Sequence, residues 1–206
     1  ELPAIVEFER PSGGEQAIAQ AAELLSNAKN PVILNGAGVV LSQGGIDASR
    51  ALAERLDAPV CVGYQHNDAF PGSHPLFAGP LGYNGSKAGM ELISEADVVL
   101  CLGTRLNPFS TLPGYGMEYW PADAKIIQVD INPDRIGLTK KVSVGIIADA
   151  AKAANGILDR LSETAGDDGR AERKAKIAEK KSRWAQQLSS MDHEDDDPGT
   201  TWNQRA

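Results

Sequence analysis

The sequence predicts an α/β fold with a doubly wound, mostly parallel six-stranded sheet, Rossmann-like in the order 3-2-1-4-5-6, with helices on both faces. Short apolar runs alternate along the chain with segments whose apolar residues recur at helical spacing. The runs are apolar throughout, which is typical of parallel strands covered by helices on both sides. These two observations together favour the doubly wound class.

Six apolar runs predict the strands, at residues 32–34, 59–62, 76–78, 97–102, 125–130 and 144–147. Helical spacing predicts helices over residues 15–28, from about 48 to 56, over 89–95 and over 150–161. Pro133 can begin a short helix because its missing N–H is not needed in the first turn. Asp149 is expected to cap the last helix of the domain.

The chain divides into three predicted parts: an incoming linker over residues 1–14, the sheet domain over 15–162, and a linker with a helix over 163–206. The acidic stretch that begins at Asp192 also has the composition of a linker. The first residue is Glu1 and not methionine, so we expect a piece of a longer polypeptide.

The segment 170–191 is rich in Lys, Arg and Ala and predicts a helix. Its seven basic residues lie between Arg170 and Arg183, and we interpret them as a charged, solvated outer face and not as a nucleic-acid-binding arm. We expect this helix to dock through one apolar stripe, formed by Ile177, Trp184, Leu188 and Met191.

Composition excludes several classes of function. The net charge of −8 argues against a nucleic-acid partner, because binding phosphates requires clustered positive charge. No apolar stretch approaches the roughly 18 residues of a membrane span, so we expect no membrane partner. Cys61 and Cys101 both lie inside apolar runs. That position favours reduced, buried thiols in a cytoplasmic protein over a disulfide framework or a zinc site.

A glycine turn, Gly36-Ala37-Gly38, follows the first predicted strand and precedes a helix, as a phosphate-binding turn requires. The third glycine of a dinucleotide fingerprint is replaced by Leu41, and no acidic residue follows the second strand to hold a ribose. An NAD-dependent dehydrogenase is therefore disfavoured. Two interpretations remain: close approach of the backbone to a ligand, or a tight turn that needs a positive φ.

The ligand crevice of this sheet type opens where the winding reverses, at the carboxyl ends of the first and fourth strands. Those ends are Asn35–Gly38 and Gly103–Arg105. The guanidinium of Arg105 can bind phosphate or carboxylate, or can form a salt bridge with a neighbouring acid. Asp130 and Ile131 end the fifth strand on the same edge, where they could contact a ribose or adenine. Alternatively, the Asp-x-Asn-Pro sequence caps the helix that begins at Pro133.

The long connection over residues 63–87 contains His66, His74 and Asp68, which suggests a metal site or a general base. Their spacing matches no ligand motif, so we do not expect either histidine to be catalytic. Long connections in compact domains tend to be functional, and the role of this one is left open. We expect the aromatic residues 115, 119 and 120 to serve packing or contacts between domains.

Four motifs in order resemble the central domain of thiamine-diphosphate-dependent enzymes of the acetolactate-synthase type, with the DHS-like FAD/NAD-binding fold. They are Asn30–Gly38, Pro71–Gly79, Ala96–Arg105 and Lys125–Pro133, and the resemblance covers residues 15–162. A further set of segments resembles the branch of this family that acts on sulfoacetaldehyde: Tyr64–Phe70, Gly82–Ala88, Thr111–Trp120 and Asp195–Asn203.

The resemblance implies a complete enzyme that converts sulfoacetaldehyde and phosphate into acetyl phosphate and sulfite, using thiamine diphosphate and Mg²⁺. The cofactor and the metal would be bound by pyrimidine- and diphosphate-binding domains, whose signature motifs this sequence lacks. We therefore expect no catalytic residue and no metal ligand in this piece, and no activity from it alone. The complete enzyme is expected to be a homodimer or homotetramer.

Flavin-containing relatives imply a second site, because their central domains contact FAD or ADP. The matching positions here are Asn35, Gly36, Ala37, Gly38, Gly82, Asn84, Gly85, Gly103, Thr104, Arg105, Asp130 and Ile131. The acetyltransferase chemistry needs no flavin, so the crevice is expected to be empty or to hold an adenine nucleotide. The alternatives are the central domain of an acetolactate synthase or other 2-oxoacid enzyme, and a free-standing nucleotide-binding module.

Overall fold

A computed structural model describes residues 9–167 and 169–191, and within them a six-stranded parallel sheet. Its strands are β1 (Pro31–Asn35), β2 (Val60–Gly63), β3 (Phe77–Leu81), β4 (Val98–Leu102), β5 (Lys125–Asp130) and β6 (Val144–Ile147). They lie in the order β3-β2-β1-β4-β5-β6, and every pairing is parallel. The predicted fold class is confirmed.

The α-helices are α1 (Glu15–Ser26), α2 (Ala37–Val40), α3 (Gly45–Leu56), α4 (Lys87–Ser94), α5 (Ala150–Leu158) and α6 (Arg170–Met191). Short 3₁₀ helices occur at Asn67–Ala69, Pro108–Ser110 and Pro133–Arg135. Helix α5 contacts both α1 and α3, whereas α4 contacts α6. Crossovers between parallel strands are right-handed, so the reversal of winding after β3 puts α4 on the face opposite α3.

Central strands β1, β2 and β4 are buried along their whole length. Leu34 of β1 lies opposite Cys61 on one side and Cys101 on the other. The two cysteines are therefore separated by two strand spacings, about 9.5 Å, which exceeds the reach of a disulfide. Both are free and fully buried. The thiols are buried as predicted, and burial raises the pKa of Cys61 to about 12 and also raises that of Cys101.

The helices differ from the sequence prediction mainly after β1, where the four-residue α2 comes before α3. Gly44 separates the two helices in a left-handed conformation, at φ +73°. The next residue, Gly45, has no room for a side chain, because a Cβ there would lie 2.2 Å from the Val39 carbonyl oxygen. Asp149 caps α5 as predicted, accepting hydrogen bonds from the backbone N–H groups of Ala151 and Lys152.

Helix α6 spans the predicted residues, but its docking differs from the prediction. Ile177 of the predicted stripe is buried, whereas Leu188 is 40% exposed. The basic residues, predicted to form a solvated face, instead contact the rest of the domain; Lys176 and Lys180, for example, lie 2.8 and 2.6 Å from the Glu95 carboxylate. Sequence spacing alone could not show that acids of α4 face this helix.

The predicted incoming linker is described from Glu9 onward, and this part packs along the domain. Ser12 forms an antiparallel bridge with Ala148, and the carbonyl of Pro11 accepts a hydrogen bond from the Asp149 N–H. Residues 1–8 and 192–206 lie outside the described part of the chain, and with them the predicted acidic linker and the last of the motifs. No helix in the described ranges is long and apolar enough to cross a membrane.

Candidate functional site

A cavity of about 490 Å³ opens at the carboxyl ends of β1 and β4, where the winding of the sheet reverses. This is the position at which doubly wound sheets bind ligands. Eight of the predicted site residues line it: Gly36, Ala37, Gly38, Gly103, Thr104, Arg105, Asp130 and Ile131. We call this cavity the crevice.

The glycine turn is explained by close packing and not by a positive φ. Gly36 has φ −125° and ψ −167°, which any residue can adopt, so the alternative of a turn that needs a positive φ is excluded at Gly36. A Cβ on Gly36 would lie 2.6 Å from the Gly103 carbonyl oxygen, and one on Gly38 would lie 2.6 Å from the Gly103 Cα. The N–H groups of Gly36 and Gly38 donate to the carbonyls of Leu102 and Gly103, at 3.0 and 2.8 Å. These two donors are therefore already used within the protein.

Asn35, another predicted site residue, is fully buried at the end of β1. Its Nδ2 donates to Ser49 Oγ and to the Ala69 carbonyl, at 2.8 and 2.9 Å. The Ser49 hydroxyl in turn donates to Asn35 Oδ1 at 3.1 Å. The amide therefore ties β1 to α3 and to the loop that follows β2, and it does not line the crevice.

The predicted residues Gly82, Asn84 and Gly85 lie in the turn after β3, apart from the crevice lining. Gly82 and Asn84 have positive φ values of 93° and 58°. A Cβ on Gly82 would lie 2.2 Å from the Phe109 carbonyl oxygen. The Tyr115 hydroxyl donates to the Gly85 carbonyl at 2.9 Å. In this structure the turn packs against residues 109–115.

The crevice is also lined by two arginines, Arg105 and Arg135. Arg105 is exposed, and neither its guanidinium nor that of Arg135 forms a hydrogen bond or ion pair with the residues that the structure describes. The salt-bridge alternative for Arg105 therefore has no support in the described ranges. Asp130 forms a local hydrogen bond, in which its Oδ1 accepts from the Asn132 N–H at 2.9 Å. Asn132, and not Asp130, caps the 3₁₀ helix that begins at Pro133.

Arg10 and Asp149 also line the crevice, and sequence reasoning did not find Arg10. Arg10 Nη1 lies 2.9 Å from Asp149 Oδ2 and donates to the Leu41 carbonyl. Burial alone would raise the pKa of Asp149. Hydrogen bonds from Ser42, Arg10 and the backbone N–H groups at the start of α5 outweigh burial and hold that pKa below its usual value. Asp149 therefore fixes Arg10 at the mouth of the crevice.

The histidines have different surroundings. His66 lines the crevice, with its Nδ1 3.9 Å from Asp68 Oδ1. His74 lies elsewhere: its Nε2 is 3.1 Å from Glu54 Oε1, and its Nδ1 accepts from the Leu76 N–H, so it organises its own loop. Of the predicted aromatic contacts, Tyr119 is buried, and burial raises the pKa of its phenol.

A sequence model of the family described as "Thiamine pyrophosphate enzyme, central domain" matches residues 18–157. The chain belongs to this family. Over all 206 residues it is 77% identical to a sulfoacetaldehyde acetyltransferase of Roseovarius nubinhibens and 71% identical to one of Rhodobacter capsulatus. It spans about a third of the length of these curated relatives, 34% and 35%. The resemblance inferred from the motifs is confirmed.

Two more distant proteins also match part of this chain. A probable acetolactate synthase large subunit of Methanocaldococcus jannaschii is 35% identical over 70% of this chain and 24% of that protein. Among solved structures, benzoylformate decarboxylase from Polynucleobacter necessarius has a TM-score of 0.63 and 24% identity, covering 80% of this chain and 31% of that one. The structural likeness shows a shared fold.

Gly36→Ala should destabilise the domain by about 1–3 kcal/mol, because the added Cβ forces the turns after β1 and β4 apart. The backbone angles of Gly36 suit alanine, so this effect is purely steric. Urea unfolding measures it. Gly72→Ala is the matched control, since a Cβ there meets nothing within 4 Å. Equal midpoints for the two variants would contradict the packing explanation.

Asp149→Ala should lower the free energy of unfolding by about 1–2 kcal/mol at neutral pH, because it removes a helix cap. The folded pKa of Asp149 is lowered, so its contribution is present above the unfolded pKa of about 3.9 and disappears as the pH falls through the folded value. The gap between wild type and variant should therefore close below about pH 4. Exposed Asp159 provides the control, and Asp159→Ala should show no such pH-dependent gap.

Proposed function

We propose that the chain is the central domain of a thiamine-diphosphate-dependent sulfoacetaldehyde acetyltransferase, which converts sulfoacetaldehyde and phosphate into acetyl phosphate and sulfite. The observation that carries the proposal is 77% identity to a relative of that name over all 206 residues. Identity to the acetolactate synthase of Methanocaldococcus jannaschii is 35% over a shorter region. This difference favours the acetyltransferase. The complete enzyme would be a cytoplasmic homodimer or homotetramer.

The side chains of this domain suit a structural role. Within residues 9–167 and 169–191, no group of three or more His, Cys, Asp or Glu side chains converges that could hold a metal. These residues therefore do not fit Mg²⁺, and we derive no step through it here. We assign thiamine diphosphate and Mg²⁺ to the pyrimidine- and diphosphate-binding domains of the complete polypeptide. The thiamine cofactor supplies the nucleophile and electron sink, while this domain positions its neighbours.

The complete enzyme, given thiamine diphosphate, Mg²⁺, phosphate and sulfoacetaldehyde, should release sulfite and form acetyl phosphate in equal amounts. The 206-residue chain under the same conditions should release none, because it lacks the groups that hold the cofactor. Sulfite is measured by thiol-reactive dye and acetyl phosphate as its hydroxamate. Absence of sulfite, with pyruvate converted to acetolactate instead, would support the acetolactate synthase alternative and refute this assignment.

For the crevice, we propose an adenine nucleotide such as ADP in preference to FAD. Support comes from Arg105 and Arg135, whose guanidinium groups have no partner among the described residues. Guanidinium groups bind phosphate through paired N–H donors, and that of Arg105 is exposed at the crevice. The N–H groups of Gly36 and Gly38 are already used. The phosphates would therefore rest on the arginines and not on the glycine turn.

Arg105→Ala should weaken ADP binding by about tenfold or more, because a charge-assisted hydrogen bond contributes roughly 1.5–3 kcal/mol. Titration calorimetry of the 206-residue chain with ADP measures the affinity. Exposed Arg160, which follows the carboxyl end of α5 and does not line the crevice, supplies the control variant Arg160→Ala, which should bind ADP like wild type. If both variants lose ADP binding, or if all three proteins bind ADP equally well, Arg105 does not bind the phosphates. Absence of any ADP binding would leave the crevice a purely structural feature.

A further inference from the structure

The basic residues of α6 all reach across to the body of the domain. Five of them pair with three acids, Asp57, Glu91 and Glu95, which we call the acidic face. Arg170 and Lys174 lie 3.0 and 3.1 Å from the Asp57 carboxylate. The remaining pairs join Lys176 and Lys180 to Glu95, and Lys180 and Arg183 to Glu91. The other two basic residues, Arg173 and Lys181, donate to backbone carbonyls of the domain.

The charges match in spacing as well as in sign. Lys176, Lys180 and Arg183 recur at intervals of four and three residues, which puts them on one side of α6. Glu91 and Glu95 are four residues apart at the end of α4. Later residues of α6 pair with the earlier acid, so the two helices run antiparallel. Burial alone would raise the pKa of Glu95, but hydrogen bonds from Lys176 and Lys180 lower it, so the acid stays charged.

Apolar contact contributes little beyond the first half of α6. Of the α6 side chains that the structure describes, Arg173 and Ile177 are the buried ones. A groove of about 630 Å³ opens beside Ile177, between α6 and the loop that contains His74. Farther along, the Trp184 ring meets Tyr115 edge-on, with ring centroids 5.3 Å apart. The second half of the helix, residues 180–191, is therefore held by the ion pairs of Lys180 and Arg183, by the hydrogen bond of Lys181 to the Pro75 carbonyl and by the contact of Trp184 with Tyr115.

The first half of α6 has a firmer attachment. The Arg173 guanidinium donates to the carbonyls of Lys29 and Leu56, at 2.8 and 3.1 Å, near the ends of α1 and α3. Gly166 and Gly169 precede it with φ values of +80° and +67°, conformations that glycine adopts without strain. These contacts fix one end of the helix next to a turn.

We propose that the second half of α6 is a charge-docked arm, which leaves and rejoins the acidic face as ionic strength changes, while Arg173 and Ile177 hold its first half. The Debye length falls from about 30 Å at 0.01 M salt to about 3 Å at 1 M. Of the side chains in these pairs, Arg183 and Glu95 are 53% and 41% exposed, so ions reach them, while Lys180 and Glu91 are 12% and 18% exposed and are screened less. Once undocked, residues 180–191 lose the packing that stabilises a helix in water, and their helical structure weakens. The arm would thereby change the position of whatever follows it in the polypeptide.

Hydrogen exchange of the 206-residue chain, followed by mass spectrometry from 10 mM to 1 M NaCl, tests this arm. Protection of amides 180–191 should fall by about fivefold or more, since each of several ion pairs weakens. Protection of 170–178 should change less, and that of β1 and β4 should stay constant, which also shows that the domain remains folded. If the protection of amides 180–191 is the same at 10 mM and at 1 M NaCl, the proposal is wrong.

Variants with reversed charges test whether the second half of α6 is held by its ion pairs or whether salt loosens the helix in a general way. Glu95→Lys should release residues 180–191 already at 10 mM NaCl. Adding Glu91→Lys, Lys176→Glu, Lys180→Glu and Arg183→Glu to that variant reverses both members of every pair that joins residues 176–183 to Glu91 and Glu95, and should restore protection to within about twofold of wild type. Glu118→Lys, at an exposed acid away from the acidic face, is the control and should leave α6 protected. If Glu95→Lys leaves protection unchanged, or the reversed pairs fail to restore it, α6 is not recognised by charge.

Discussion

The backbone contact between the turns that follow β1 and β4 fixes the centre of this molecule. The N–H groups of Gly36 and Gly38 continue the hydrogen bonding of the two strands past their last residues. Side chains at these glycines would fill the space that the opposing backbone occupies. Because the winding of the sheet reverses between these strands, the same contact sets where α2 and the segment after Gly103 leave the sheet. The shape of the crevice follows from it.

The fold could be predicted from the sequence because continuous apolar runs are typical of buried parallel strands. The cap at Asp149 could be predicted because an Asp directly before an apolar helical face is a common N-cap. The crevice could be predicted only in part. The glycine turns that line it directly follow predicted strands, so their position could be inferred. Arg10 and His66 also line it, but they belong to connecting segments whose path depends on tertiary packing. The sequence left two interpretations of Gly36 open, because close approach and a positive φ both select glycine and sequence cannot separate them.

Arginines join the layers of this acidic chain by binding backbone carbonyls. Arg55 donates to the carbonyls of Ser162 and Glu163, after α5, and Arg173 donates to that of Leu56, at the end of α3. Leu56 is the last residue of α3, and the last carbonyls of a helix lack partners within the helix and carry partial negative charge, so the Arg173 cation is favourable there. Although the net charge is −8, these arginines lie where helices and loops of the domain meet.

The two ends of the described chain are held at opposite margins of the sheet. The segment around Ser12 joins the chain beside the end of β6, and α6 packs on α4, which contacts β3. Five strand spacings of about 4.8 Å put these margins roughly 24 Å apart. A rigid sheet with such anchoring acts as a strut: it keeps the segment around Ser12 and the first half of α6 at a set distance from each other.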